Sequence, residues 1–210
     1  MILAKQNKKY GIAHGGYTII ELVVSIGLFM TVALISGAAF LGVVSSNRKT
    51  LAVRATMDNL NSAMESMSRN MQTGFSYHCG ELGGISTPQD CPAGSSYVAI
   101  EGQSGDSTIS SDQIIYTLGK AGNAAFANCP NPKQMCVSIN GGATFFALTA
   151  PPPELSIDGL AFRVYGSDPN DSPSKQPRIT IIVIGSAGVA STRTLFNIET
   201  SISQRLPDFP

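Results

Sequence analysis

The chain has 210 residues, with 14 basic and 14 acidic side chains and a formal charge of zero. No basic stripe is present, which excludes a charge-built nucleic-acid surface. A charged content of only 13%, beside 21 glycines and 12 prolines, favours an extracytoplasmic, loop-rich β domain over a cytosolic enzyme. The length suits one small domain once roughly 30 residues are set aside for a membrane helix.

Residues 1–16 are a short polar leader carrying Lys5, Lys8 and Lys9. They are processing information rather than structure, and His14 within them is assigned no chemistry. Without the leader the mature chain holds 11 basic and 14 acidic residues, a net charge of −3.

The next stretch, residues 15–44, reads GGYTIIELVVSIGLFMTVALISGAAFLGVV. From Tyr17 to Val44 it has no proline, and its one ionisable acid or base of ordinary pKa is Glu21. This run predicts a membrane-spanning helix, which needs roughly 20 apolar residues to cross about 30 Å of hydrocarbon. A helix suits the bilayer because it satisfies its own backbone groups. Gly27, Gly37 and Gly42 are ordinary in such helices, where small residues permit close packing.

Glu21 is the anomaly, because a carboxylate at the bilayer centre costs up to roughly 3 kcal/mol, and less near the end of the span. Its position supplies a remedy. Cleavage after Gly16 would give Tyr17 a new α-amino group, cationic at neutral pH with a reference value near 8. Glu21 lies four residues on, hence on the same helix face as that terminus. It can pair with its own amine or with that of a neighbouring subunit.

A basic leader, Gly16, Tyr17, Thr18, two apolar residues, Glu21 and a long apolar helix together resemble the class III signal of type IV prepilins and of type II secretion pseudopilins. The resemblance covers the N-terminal third. It implies that a prepilin peptidase cuts between Gly16 and Tyr17 and methylates the Tyr17 amine, and that Glu21 neutralises a neighbour's amine during assembly. Two departures stand out. Most relatives begin with Phe or Met where this chain has Tyr17, and Ala38 stands where many major pilins carry a helix-kinking proline. Retention of Glu21 implies a minor subunit below the tip, since the tip subunit of secretion pseudopili lacks this acid. The implied partners are other pilin or pseudopilin subunits, the prepilin peptidase, an inner-membrane assembly platform and membrane lipid, with no cofactor and no nucleic acid. A conventional secretory signal cut after Ala38 is the rival, but its apolar region would exceed the usual 7–15 residues.

After Val44 the helix is expected to continue over residues 45–74. Val53, Met57, Leu60, Met64, Met67 and Met71 recur at alternating spacings of four and three, an amphipathic stripe with Asp58, Asn61, Glu65 and Arg69 off it. The methionines read as core filling rather than as an adaptable surface. Gly74 is the expected stop. From Tyr17 to Thr73 the helix would hold 57 residues, about 85 Å, too long for burial in one small domain. Lys5, Lys8 and Lys9 precede the span while Arg48, Lys49 and Arg54 follow it, so the positive-inside count is a tie. Orientation, with the N-terminus cytoplasmic, therefore rests on the resemblance and on the cysteines.

Residues 75–210 are expected to form an extracytoplasmic, disulfide-containing β domain. Cys79, Cys91, Cys129 and Cys136 permit three connectivities, of which the local pairs Cys79–Cys91 and Cys129–Cys136 are favoured. Disulfides place the domain in an oxidising compartment. No CxxC is present, so the zinc and thioredoxin-like signals are absent, and His78 beside Cys79 reads as a surface-loop histidine rather than a metal ligand. Residues 75–95 read as a loop. Expected strands are Tyr97–Glu101, Gln113–Leu118, Met135–Ile139, Ala143–Thr149, Leu160–Tyr165, Arg178–Gly185 and Thr192–Ser203. Residues 119–135 are another loop. Asn140-Gly141-Gly142 is a hairpin-turn signal, and Pro151-Pro152-Pro153 is a seam within the domain. In the last strand Phe196, Ile198, Thr200 and Ile202 share one face, which should bury against the helix. The expected fold is α+β, a long N-terminal helix on an antiparallel sheet, the roll that type IV pilins and pseudopilins share.

No HExxH, GxSxG, Walker loop or GxGxxG occurs, and Gly80, Gly83 and Gly84 are loop glycines. Asn170-Asp171-Ser172 matches a glycosylation sequon, and Asp168, Asn170 and Asp171 could offer oxygens to calcium, but a solvated hairpin tip is the simpler reading. The expected function is that of a structural minor pilin or pseudopilin subunit. The rival is a signal-anchored adhesin or binding protein that never polymerises; an enzyme is not expected.

Overall fold

The computed structural model describes residues 15–80, 87–168, 176–188 and 193–205. Lys5, Lys8, Lys9, His14, Gly83, Gly84 and the Asn170-Asp171-Ser172 sequon lie outside the described residues. The chain divides into two units, residues 1–47 and 48–210. One helix, α1 (Ile19–Thr73), contributes to both.

In the first unit the helix begins at Ile19, two residues later than the sequence predicts, because Thr18 caps it. The Thr18 hydroxyl accepts the Glu21 backbone N–H at 3.3 Å, and the Thr18 carbonyl accepts the Leu22 N–H at 3.1 Å. Hydroxyls farther along turn back onto the helix. Ser25 donates to the Glu21 and Leu22 carbonyls, Thr31 to the Leu28 carbonyl and Ser45 to the Gly42 carbonyl. These three hydroxyls are thereby satisfied within their own turns, as an apolar surround demands.

In the second unit the amphipathic stripe points inward as the spacing predicts. Leu60, Met67 and Met71 are fully buried, Met57 and Met64 half-buried, while Asp58, Asn61, Glu65 and Arg69 are exposed. Gly74 ends the helix for a reason of space. A Cβ there would fall 2.6 Å from the Glu101 carbonyl oxygen and 2.7 Å from that of Asn70. The glycine lets β2 approach the last turn.

Five strands form one antiparallel meander: β1 (Phe75–His78), β2 (Val98–Glu101), β3 (Ile114–Leu118), β4 (Met135–Ser138) and β5 (Phe146–Ala147). Three longer strands form a second: β6 (Leu155–Tyr165), β7 (Arg178–Ala187) and β8 (Thr194–Ser203). The triple proline stands between the two sheets, where the chain passes from one to the other. Both sheets bury one face in a common core with the helix. Tyr77, Val98, Ile100, Tyr116 and Met135 come from the first sheet, and Leu155, Ile157, Phe162, Val164, Ile179, Ile181 and Val183 from the second. Polar ties fasten helix to strands: Asn70 Nδ2 donates to Tyr116 Oη at 2.7 Å, Tyr77 Oη to the Met71 carbonyl, and the Arg205 N–H to the Gln72 carbonyl at 2.9 Å. This is the α+β architecture of a long helix packed on antiparallel sheet.

Four expectations need correction. Residues 75–78 are a strand, not loop, with Tyr77 fully buried; the segment is too short and too polar to announce itself. The predicted strand Ala143–Thr149 shrinks to Phe146–Ala147. The turn is still real. Gly141 has φ 64°, and a Cβ there would lie 2.1 Å from the Ser110 carbonyl oxygen, so only glycine fits. However, Asn140 accepts the Ser138 hydroxyl and the Thr144 N–H, drawing the connection into a longer loop.

β6 starts five residues earlier than expected. Asp158 is a bulge between Ile157 and Gly159. Before it Leu155 and Ile157 face the core; after it Leu160, Phe162 and Val164 do. One extra residue switches the inward parity from odd to even, so plain alternation cannot reveal the strand.

The loop 119–135 is not a bare connection. Phe126 stacks on Phe145 at 4.1 Å, and with Tyr97, Ala99, Ile115, Cys129 and Cys136 they fill a second, smaller core on the other face of the first sheet. Burial there pushes the Tyr97 hydroxyl up to about 12. In β8 the predicted face holds: Ile202 is buried and Phe196, Ile198 and Thr200 half-buried, while Asn197, Glu199 and Ser201 are exposed.

Candidate functional site

Residues 15–18 are irregular and exposed, directly ahead of the helix. The Gly16–Tyr17 peptide therefore lies in irregular, accessible chain, with open space where a Cβ would sit on either Gly15 or Gly16. Tyr17 is 85% exposed and sits outside the helix. The expected sharing of one helix face by Tyr17 and Glu21 is not made in the uncut chain, because Thr18 caps the helix and helical geometry begins only at Ile19.

Glu21 is the acid of the first turn, where the helix dipole favours negative charge. Thr18-Ile19-Ile20-Glu21 is also the pattern of a capping box, a signal that the sequence reading missed. Only the Thr18 half of the box is formed. Among the described residues nothing pairs with the Glu21 carboxylate.

Beyond Glu21 the helix presents apolar side chains on every side. Leu22, Val24, Phe29, Leu34, Phe40 and Val43 all lie more than half exposed. No residue of its most apolar window is buried by the rest of the chain, and this helix is long and apolar enough to cross a membrane once. An apolar surface of this extent, unburied in water, marks a membrane or protein contact. Gly27, Gly37 and Gly42 have open space where a Cβ would sit, so nothing among the described residues requires them to be glycine.

Cys79 is bonded to Cys91 and Cys129 to Cys136, with Cα separations of 6.0 and 6.1 Å. Among the described residues no cysteine is free. The first bond ties the end of β1 to a segment that lies along β6, where the Cys91 N–H donates to the Val164 carbonyl and Ser95 and Phe162 exchange backbone bonds. The second sits wholly inside the smaller core.

His78 is not on the surface as expected; it is 3% exposed, on β1. Its Nδ1 lies 3.0 Å from the Thr87 carbonyl oxygen, and its Nε2 has no hydrogen-bond partner among the described residues. Burial pushes its pKa down, opposed by the bond to Thr87. Glu101, which the sequence reading placed only as the end of a strand, is fully buried and has no hydrogen-bond partner on either oxygen among the described residues. Among the described residues no three His, Cys, Asp or Glu side chains converge as metal ligands.

Comparison of the chain with family models, curated proteins and solved structures returned no match.

Proposed function

We propose that the protein is a structural subunit of a membrane-rooted helical filament, a minor pilin of a type IV pilus or a minor pseudopilin of a type II secretion or DNA-uptake system. The observation that carries this reading is Glu21: an acid in the first turn of an apolar, unburied helix, with no partner among the described residues. A prepilin peptidase would cut at the exposed Gly16–Tyr17 peptide and methylate the new amine. The helix would then hold the subunit in the inner membrane, N-terminus cytoplasmic and β domain extracytoplasmic, until the assembly platform draws it into the filament.

In the filament the apolar helices pack side by side. The small residues Gly27, Gly37 and Gly42, free of any intrachain packing duty, let neighbouring helices approach closely. Glu21 sets the axial register by seeking a neighbour's Tyr17 amine, a pairing that cancels a carboxylate in an apolar surround. The two disulfides fit an oxidising compartment. No catalytic role belongs to this reading.

The test compares wild type with Glu21→Ala and Glu21→Gln in the native cell, fractionating sheared filaments from membrane. Wild type should enter the filament fraction, and both variants should stay in the membrane although processed. Equal recovery of all three with membrane alone would leave the anchored, non-polymerising binding protein as the better description.

A further inference from the structure

The turn between β2 and β3 holds an imbalance of acceptors over donors. Glu101 closes β2, and the chain returns to β3 after Asp112 and Gln113. The loop satisfies much of itself. Asp106 Oδ1 accepts the Thr108 N–H and hydroxyl at 2.9 and 2.7 Å, and Asp112 Oδ2 accepts the Asp106 N–H at 3.0 Å. Three carboxylate oxygens are left over: Glu101 Oε1, Glu101 Oε2 and Asp112 Oδ1, each inaccessible and without a hydrogen-bond partner among the described residues.

Glu101 has no exposed surface, and the loop is folded over its carboxylate. A Cβ on Gly105 would fall 2.7 Å from Oε2, so the loop passes close over this carboxylate. Burial is the main cause that pushes the Glu101 pKa up; the adjacent Gln113 amide opposes it, and Asp112 and Asp106 add to it. A buried, unpaired carboxylate is costly until a proton or a cation neutralises it.

We propose that this turn binds one divalent metal ion, calcium in preference to magnesium, through both oxygens of Glu101 and Oδ1 of Asp112. Oxygen-only ligands suit a hard cation, and two free oxygens on one glutamate suit the bidentate contact that calcium accepts and magnesium does not favour. Calcium takes 6–8 oxygens, so loop carbonyls and water complete the shell. Two carboxylates make a weak site, of the roughly 10⁻⁴–10⁻³ M class seen in extracellular modules. Residues 103–111 are largely exposed, which gives the ion a way in from solvent. The inference does not depend on filament assembly.

The experiment uses the full chain in detergent, stripped with chelator and titrated with calcium chloride by calorimetry and by thermal unfolding. One calcium per chain should bind at roughly 0.1–1 mM with a rise in Tm, and magnesium should raise Tm less. Asp112→Asn should weaken binding at least about tenfold. Glu101→Gln should abolish uptake yet fold well at neutral pH, because the amide carries no charge to neutralise. No heat and no Tm shift up to about 10 mM, well above that affinity class, would overturn the proposal and leave Glu101 simply protonated. Uptake unchanged in Asp112→Asn would overturn it equally, whether or not Glu101→Gln folds.

Discussion

Asp90 Oδ1 accepts the backbone N–H of Ser167 at 2.7 Å. The same oxygen takes the Asp168 N–H at 3.2 Å, and Oδ2 takes that of Gly166 at 2.8 Å. One side chain beside the first disulfide thus closes three successive donors at the end of β6. Ser167 in turn donates its hydroxyl to the Tyr77 carbonyl at 2.9 Å, so the clamp reaches from the second sheet to the first.

Removing the clamp strands buried donors, because Ser167 is inaccessible. Asp90→Ala is expected to cost about 2 kcal/mol, the scale of hydrogen bonds to a charged acceptor. Asp90→Asn keeps one acceptor oxygen and should cost less than half as much. Urea unfolding of the detergent-solubilised chain measures both.

The bulge at Asp158 makes a sharper demand. Asp158 accepts from Lys133 Nζ at 2.9 Å and from the Ser156 hydroxyl at 3.2 Å, which anchors the extra residue outside the sheet. Deleting it would turn Leu155 and Ile157 to the outer face or break the pairing beyond. Either outcome forfeits the burial of two large side chains, about 4 kcal/mol. Asp158→Ala, which keeps the residue count, should cost under about 1 kcal/mol because the ion pair is exposed. The same two unfolding curves decide it.

How far the sequence foretells this fold follows from what repeats in it. The helix and its stripe are legible because Leu60, Met67 and Met71 recur at helical spacing, and β7 because Ile179, Ile181 and Val183 alternate with outward residues. β1 is invisible because Phe75–His78 offers one buried aromatic in four residues. The first half of β6 is hidden by the parity switch at Asp158. The smaller core is hidden because Phe126 and Phe145 are isolated in polar loops that are distant in sequence, and they stack only once the fold brings those loops together. At the N-terminus, Glu21 is conspicuous in sequence because it is alone, whereas Glu101 looks like any strand-ending acid until burial removes its water.

His78 gives stability a pH dependence of known sign. Its folded pKa lies below its unfolded value of about 6.5, since burial disfavours the charged ring. The neutral ring's contribution is therefore fully present above that value and is lost as pH falls through the folded pKa. Unfolding free energy measured between about pH 7 and 5 should decline more steeply for wild type than for His78→Phe. Parallel slopes would show that His78 does not report on folding.

The disulfide Cys129–Cys136 fixes the loop carrying Phe126 against β4. Replacing both cysteines with alanine should cost about 2–3 kcal/mol through the loop entropy restored to the unfolded chain. It should also loosen the smaller core ahead of the main one. Hydrogen exchange is the measurement: amides of residues 124–129 should lose protection while those of β7 keep theirs.

The account rests most heavily on the new chain end that Glu21 is proposed to meet. N-terminal mass spectrometry of protein extracted from its native membrane reads that end directly. The predicted result is a mature chain that begins with N-methylated Tyr17. A chain that still carries residues upstream of Gly16, or one cut within the apolar helix, would remove the amine from reach of Glu21 and contradict the assembly mechanism.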